Sequence, residues 1–280
     1  MTDKRILIAG CGRLGARLGT ALNRSGAEVH GLRRHTQHLP TGIIPLATDL
    51  LEDQDLATRL PSRLDRVYYI LTPASYDDAG YQAAYVTGLA RLLQALADSG
   101  NARARLIFVS STGVYGQDQG EWVDERSATR PTRFSGKRLL EAEASLRYHP
   151  GESVVVRFAG IYGPGCDRLL RRVRSGQPCI APPPRYTNRI HEEDCIGVLK
   201  HVGQITAPAS VYLGVDDAPC EQCEIMDWLA SALGQYQPRR EPDGDRAGRR
   251  CLNQRLRASG YRFRFPSYRQ GYQRLVRAGV

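Results

Sequence analysis

Long apolar runs are missing from this chain. Nowhere in its 280 residues does a stretch approach the roughly 20 consecutive apolar residues that a bilayer-spanning helix needs, so no membrane partner is expected. The start, Met-Thr-Asp-Lys-Arg followed by a short apolar segment broken by glycine, lacks the apolar region of a secretory signal, and a cytoplasmic location is expected. Zinc-type ligand spacing is also absent. The seven cysteines (11, 166, 179, 195, 220, 223 and 251) are dispersed and odd in number, and the one CxxC, Cys220 to Cys223, has no second pair and no nearby histidine. No metal site is expected, and the thiols are expected to be reduced, with a 220–223 redox pair as the alternative. Dense basic tails are missing too. Lys and Arg outnumber Asp and Glu by 39 to 29, a net charge of +10, but the excess is scattered (33–34, 168–174, 239–240, 249–250) with no interleaved aromatics. That distribution does not suit nucleic acid. It suits an arginine-rich surface in which a few guanidiniums serve phosphates.

What is present is a globular composition, 41% hydrophobic and 24% charged. The length accommodates one large domain with a small lobe. The most informative segment is Ile6-Leu7-Ile8-Ala9 running into Gly10-Cys11-Gly12-Arg13-Leu14-Gly15. A strand that turns sharply into a helix aims backbone N–H groups and the positive end of the helix dipole at an anion. In the GxGxxG pattern Gly10 allows the turn, Gly12 removes the side chain that would block a pyrophosphate, and Gly15 lets the helix approach the strand. Leu14, Leu18 and Leu22 give that helix an apolar face. A dinucleotide cofactor is expected, held by Gly10, Gly12, Arg13, Leu14 and Gly15.

Strand and helix patterns then alternate. Strands are predicted at 5–9, 28–32, 43–47, 66–71, 105–110 and 153–158, with helices to about 24 and at 53–60, 81–98 and 136–147. This is the signature of βαβ units and a Rossmann-type, doubly wound parallel sheet in an α/β fold. The dinucleotide-binding domain is placed at 1–160. After it the pattern loosens around Pro182-Pro183-Pro184, with short helices predicted at 167–174, 192–202 and 224–233 and a loop over 235–249. Residues 161–280 are expected to form a small substrate lobe, some segments returning to the sheet.

The second strand ends in Arg33-Arg34 with no carboxylate at its tip. An acidic residue there receives the ribose 2′-hydroxyl of NAD, whereas guanidiniums match a 2′-phosphate. NADP is therefore preferred over NAD, with Arg33 and Arg34 as its contacts and Asp49, after the third strand, as a candidate for the adenine amino group.

Four further stretches, in order, resemble the extended short-chain dehydrogenase/reductase family of epimerases and dehydratases: 109–116 (VSSTGVYG), 157–165 (Arg157 to IYGPG), 189–194 (RIHEED) and 211–217 (VYLGVDD). The resemblance implies hydride transfer at a nicotinamide, a Ser/Thr holding the substrate oxygen, and a tyrosine four residues before a lysine moving the proton. Ser111 matches the hydroxyl position. Lys137 matches the lysine, as both a catalytic and a cofactor-binding residue, because Glu141 falls one turn later. The tyrosine position is then Arg133; a shift of one residue gives Phe134 and Arg138, which also lacks a phenol. A guanidinium stays protonated and cannot take the tyrosine's part. Tyr115, Tyr162 and His191 are the candidate replacement acids, although a structural reading suits each better, Tyr115 and Tyr162 lying in turn motifs and His191 capping or packing at the start of the 192–202 helix; Arg133, Tyr115, Tyr162 and Arg189 are the candidates to meet the substrate. GxGxxG in place of the usual GxxGxxG also marks an atypical member. The implied activity is NADP-dependent carbonyl or alcohol redox on a small substrate. The alternative is a non-catalytic NADP(H)-binding sensor or assembly protein. The resemblance further implies a homodimer through the helices at 81–98 and 136–147.

Overall fold

A computed structural model describes residues 4–242 and 247–278. Contacts divide the chain into two compact units, one of residues 1–114, 131–157 and 199–211, the other of 115–130, 158–198 and 212–280. The first unit is built on β1 (Arg5–Ala9), β2 (Glu28–Arg33), β3 (Ile43–Ala47), β4 (Arg66–Tyr69) and β5 (Arg105–Ser111). They belong to a seven-stranded sheet in the order Val211–Gly214, Ser153–Phe158, β5, β4, β1, β2, β3. The pairs β1–β2, β1–β4, β2–β3 and β4–β5 are all parallel, with Ile6 opposite Val29 and Arg66. Ile6 to Ala9, Val67 to Tyr69 and Leu106 to Phe108 are buried. Near-continuous burial is what a parallel sheet with both faces covered demands. The chain winds outward from β1 to β3, then returns and winds the other way through β4 and β5. The reversal between β1 and β4 opens a crevice at the carboxyl ends of those strands.

Helices α1 (Arg13–Asn23), α2 (Leu56–Arg59), α3 (Asp78–Tyr81), α4 (Gly88–Asp98) and α5 (Phe134–Ser145) connect them. The single helix predicted over 81–98 is interrupted: residues Gln82–Thr87 form a π-helical turn between α3 and α4. The cause is a phenol from the sheet. The Tyr69 hydroxyl donates to the Ala84 carbonyl, the oxygen Gly88 would use in an α-helix, and the Gly88 N–H reaches back five residues to Ala83 instead. A Cβ on Gly88 would lie 2.6 Å from that hydroxyl, so glycine is needed here. Wedges of this kind are a recognised origin of π-bulges.

Helix α5 is fixed by a buried ion pair. Arg157 donates to both oxygens of Glu143, Nε to Oε1 at 3.0 Å and Nη2 to Oε2 at 2.6 Å, and Ser110 donates to Oε1 at 2.6 Å. Both charged side chains are buried.

In the second unit, a four-stranded sheet runs in the order Cys220–Glu221, Tyr186–Thr187, Gly248–Cys251, Gln119–Val123. Gly160–Tyr162 pairs in parallel with Arg189–His191. Helices Arg168–Arg174, Glu192–Gln204, Gln222–Ala232 and Tyr268–Arg277 carry or continue its elements. Tyr162, Leu170, Val173, Met226, Leu229, Tyr268, Tyr272 and Leu275 share one core. Asp194 ties the 261–265 segment down: it accepts the Tyr261 hydroxyl (2.8 Å) and the N–H groups of Arg264 (2.8 Å) and Phe265 (2.9 Å). Two expectations are corrected here. Cys179 and Cys223 form a disulfide rather than remaining thiols, so Cys223 does not pair with Cys220. Tertiary folding brings a strand and a helix together across 44 residues, a contact that spacing does not reveal. The predicted loop at 235–249 contains strands Arg240–Glu241 and Gly248–Cys251, which find partners far away in the sequence. Residues 243–246 of that loop lie outside the described residues.

Arg157→Leu should destabilise the protein by about 3–5 kcal/mol, because the Glu143 charge is left buried without its partner. Adding Glu143→Leu should restore most of the loss. Urea denaturation of the three proteins measures both.

Candidate nucleotide-binding site

The crevice at β1 is shaped by three glycines, each for a different reason. Gly10 has φ of +83°, and a Cβ on it would lie 2.7 Å from the Ile70 carbonyl oxygen, immediately after β4. Only glycine allows that backbone conformation and that approach. At Gly15 a Cβ would meet Ile8 Cγ2 at 3.0 Å and the Gly10 carbonyl oxygen at 3.1 Å, so α1 sits directly on its strand. Gly12 is the opposite case. Its missing Cβ would have only the Gly10 oxygen near it, at 3.9 Å, and otherwise faces open space. Gly12 is the N-cap of α1, no side chain caps the helix, and its first turn holds no acidic residue. An open cradle at an uncapped, positively polarised helix end fits the pyrophosphate of a dinucleotide.

The loop is braced on the second strand. The N–H groups of Gly10 and Cys11 both donate to the Leu32 carbonyl, at 3.1 and 3.0 Å. Arg33 donates from Nη1 to the Cys11 carbonyl at 3.3 Å. Arg34 is exposed and stands 4.0 Å from Asp49, whose other oxygen accepts the Leu51 N–H. The structure thus gathers Gly10, Gly12, Arg33, Arg34 and Asp49 at the carboxyl edge of β1 to β3. Arg13 and Leu14 open α1 beside them. Cys11 itself is buried, and desolvation raises its thiol to about 11, which leaves it protonated and inert.

Ser111 ends β5 on the same edge of the sheet. Its hydroxyl accepts the Gly113 N–H at 3.1 Å. Lys137 lies on α5 next to Gly136, where a Cβ would come 2.3 Å from the Gly113 carbonyl oxygen. The turn after Ser111 and the first turn of α5 are therefore in close contact, and Ser111 and Lys137 flank that contact. Arg133 is the N-cap of α5, one turn before Lys137, and both side chains are exposed. The residue-by-residue reading overlooked the aromatic rings beside α5. Tyr76, Tyr81 and Phe134 pack edge to face, with centroids 5.4–5.6 Å apart. Tyr85, on the π turn, packs against Tyr81 (5.4 Å) and Phe108 (6.3 Å). Burial raises the Tyr85 phenol to about 12. The recurrence of tyrosine at 76, 81 and 85 was the available signal.

The remaining candidates belong to the second unit and are interior there. The Tyr115 hydroxyl donates to the Asp124 carbonyl at 2.8 Å. Tyr162 stacks on Tyr272 with centroids 4.4 Å apart, and burial raises its phenol strongly. The His191 ring is buried against Phe265 at 4.0 Å, and its Nδ1 accepts the Glu193 N–H. Arg189 donates to Thr187 Oγ1 (2.8 Å) and Cys220 Sγ (3.3 Å). Their positions are set by packing. Close by in the sequence, Asp216 is buried. Its Oδ1 accepts the Ala218 N–H at 3.1 Å, while Oδ2 has no hydrogen-bond partner among the described residues. Burial, opposed in part by Arg189, pushes this carboxyl up to about 8. No group of three or more metal-ligating side chains occurs among the described residues, and no helix among them is long and apolar enough to cross a membrane.

A parallel sheet reversing at β1, with a glycine-lined helix end in the crevice, defines a Rossmann-type nucleotide-binding protein. The sequence profile of the NAD dependent epimerase/dehydratase family matches residues 6–183, and the chain belongs to that family. It is 32% identical over 228 residues to Protein YeeZ of Escherichia coli K12, covering 74% of this chain and 78% of the relative. Among solved structures it is similar to a Methylobacillus flagellatus protein, described provisionally as an NAD-dependent epimerase/dehydratase. The identity is 35%, the TM-score 0.83, and the overlap 99% of both chains. A Thermus thermophilus UDP-glucose 4-epimerase in complex with NAD shares the fold at 20% identity, with a TM-score of 0.80 over 99% of this chain and 100% of that one.

Gly12→Val should leave folding nearly unchanged, since the added atoms point into open space. It should weaken NAD(P)H binding in calorimetry by on the order of a hundredfold, because they fill the cradle at the helix end that suits a pyrophosphate. Asp216 predicts a pH dependence. Its folded pKa, about 8, exceeds an unfolded value near 4, so the stability it contributes is fully present below pH ~4 and is lost as pH rises toward 8. Asp216→Asn should therefore match the parent at pH 4 and exceed it by on the order of a few kcal/mol at pH 8. Thermal melts across that range measure the difference.

Proposed function

We propose that this chain is an NADP-dependent oxidoreductase that reduces a carbonyl, or oxidises an alcohol, on a small molecule. The observation that carries this is one sheet edge holding the open Gly12 cradle, the Arg33-Arg34 tip, and the Ser111–Lys137 pair flanking a tight backbone contact. The N–H groups opening α1 receive the pyrophosphate. Arg34, with Arg33 beside the loop, answers the adenosine 2′-phosphate; guanidinium forks suit phosphate oxygens. Asp49, beside Arg34 at the end of the third strand, accepts from the adenine amino group in this reading. Lys137 holds the nicotinamide ribose, and Ser111 donates to the substrate oxygen as negative charge develops on it. When bound, the cofactor supplies or accepts a hydride at nicotinamide.

Arg133 stands where the family's proton-transferring tyrosine is expected. It stabilises an anion but does not move a proton, so the proton exchanges with water or another phenol. Loss of a positioned acid is worth roughly 10²–10⁴ in rate, and slow turnover is expected. That same residue supports a second reading, a non-catalytic NADP(H)-binding sensor or assembly protein.

Calorimetry should give NADPH at least tenfold tighter than NADH, with the preference reduced in Arg34→Glu. A broad carbonyl panel should then show NADPH oxidation that Ser111→Ala lowers by on the order of 10²-fold. Tight NADPH binding with no turnover on any carbonyl favours the second reading. No association with either nucleotide overturns both.

A further inference from the structure

We infer that the substrate of this site carries an aromatic ring together with an anionic group, the ring resting on Tyr76, Tyr81 and Phe134 and the anion meeting Arg133. This rests on the oxidoreductase reading above and adds a substrate class to it.

The three rings form a closed set. Tyr76 meets Tyr81 at 5.5 Å and Phe134 at 5.6 Å, and Tyr81 meets Phe134 at 5.4 Å, each pair in edge-to-face geometry. Yet Tyr76 is 71% exposed. A single exposed tyrosine needs no explanation. An exposed ring held by two others, on a rigid base, is a pre-formed aromatic wall, and edge-to-face contacts with a further ring add to the area buried.

The base is rigid for identifiable reasons. Asp77 Oδ1 accepts the Gly80 N–H at 2.7 Å and the Ser75 hydroxyl at 2.9 Å, which fixes the turn after Tyr76. Arg138 grips both oxygens of Asp78, at 2.8 and 2.7 Å, and so pins α3 to α5. Phe134 and Arg138 are one turn apart on α5, so the ring contact and the ion pair lie along a single seam. The next pair around the helix, Arg133 and Lys137, is also one turn apart. Both are exposed, and among the described residues neither makes a salt bridge or side-chain hydrogen bond. Lys137 acts electrostatically on Asp78, which is already held by Arg138. An exposed guanidinium at Arg133, next in sequence to a ring of the fixed aromatic wall, with Ser111 flanking the Gly113–Gly136 contact, selects a ring bearing a carboxylate or phosphate next to its reacting carbonyl.

The test is direct binding to the full chain, with and without saturating NADP+. The probes are phenylpyruvate, pyruvate (the anion without a ring) and acetophenone (the ring without an anion). Phenylpyruvate should bind at least tenfold tighter than either. Tyr76→Ala, a change at an exposed side chain, should reduce its affinity to that of pyruvate while leaving NADP+ affinity within twofold. Arg133→Gln should weaken phenylpyruvate and leave acetophenone unaffected. Equal affinity for the three probes overturns the inference. So does a Tyr76→Ala protein that loses NADP+ and phenylpyruvate together, since the rings would then be holding the nicotinamide. Failure to bind NADP+ overturns the oxidoreductase reading instead, and the titration without cofactor still reports on the aromatic wall.

Discussion

The approach of the Gly10 loop to the end of β4 is the constraint on which this molecule turns. A backbone at φ of +83°, with no room for a Cβ against the Ile70 carbonyl, lets the chain leave β1 and enter α1 within three residues. Because the turn is that tight, the first N–H groups of the helix face the crevice rather than a side-chain cap. The same turn places the loop on the Leu32 carbonyl and within reach of Arg33, so the glycine cradle and the arginine tip of β2 form one hydrogen-bonded body.

A second device acts at the other side of the edge. The Tyr69 phenol enters the helix after β4 and converts one turn to π geometry. That shifts the facing of the residues around it, including Tyr81 and Tyr85, relative to a regular helix. Helix α5 is held from the opposite side by the Ser110–Glu143–Arg157 cluster. Lys137, Arg133 and Phe134 therefore stand on a helix clamped at its core face by a buried ion pair and at its surface by the Arg138–Asp78 fork. Such support is what a site needs if its charges are to be pre-organised rather than mobile.

The second unit follows a different logic. Its strands are two to five residues long and pair across large sequence separations, and its family-like segments supply packing rather than open polar groups. Tyr162 and His191 close one ring stack, while Arg189 and Asp194 bond to neighbouring chain segments. For motifs of this kind both chemistry and scaffolding stay open in one dimension, because the sequence shows which groups are present but not which are already engaged.

By itself the sequence determined the sheet, the glycine cradle and the guanidinium tip of β2. Each rests on local physics: strand burial, a turn only glycine makes, and charge at a strand end. The strands predicted at 5–9, 28–32, 43–47 and 66–71 were legible, the first because burial on both faces leaves an uninterrupted apolar run; in the structure the second extends to Arg33 and the fourth ends at Tyr69. The two-residue strands were not, for so short a pairing has no periodicity to read. Only the tertiary structure decided the π turn, the Cys179–Cys223 link, the interior fate of Tyr115, Tyr162 and His191, and the meeting of Tyr76, Tyr81 and Phe134. Each of these needs two distant segments to touch, and spacing along a chain carries no record of a contact that only packing creates.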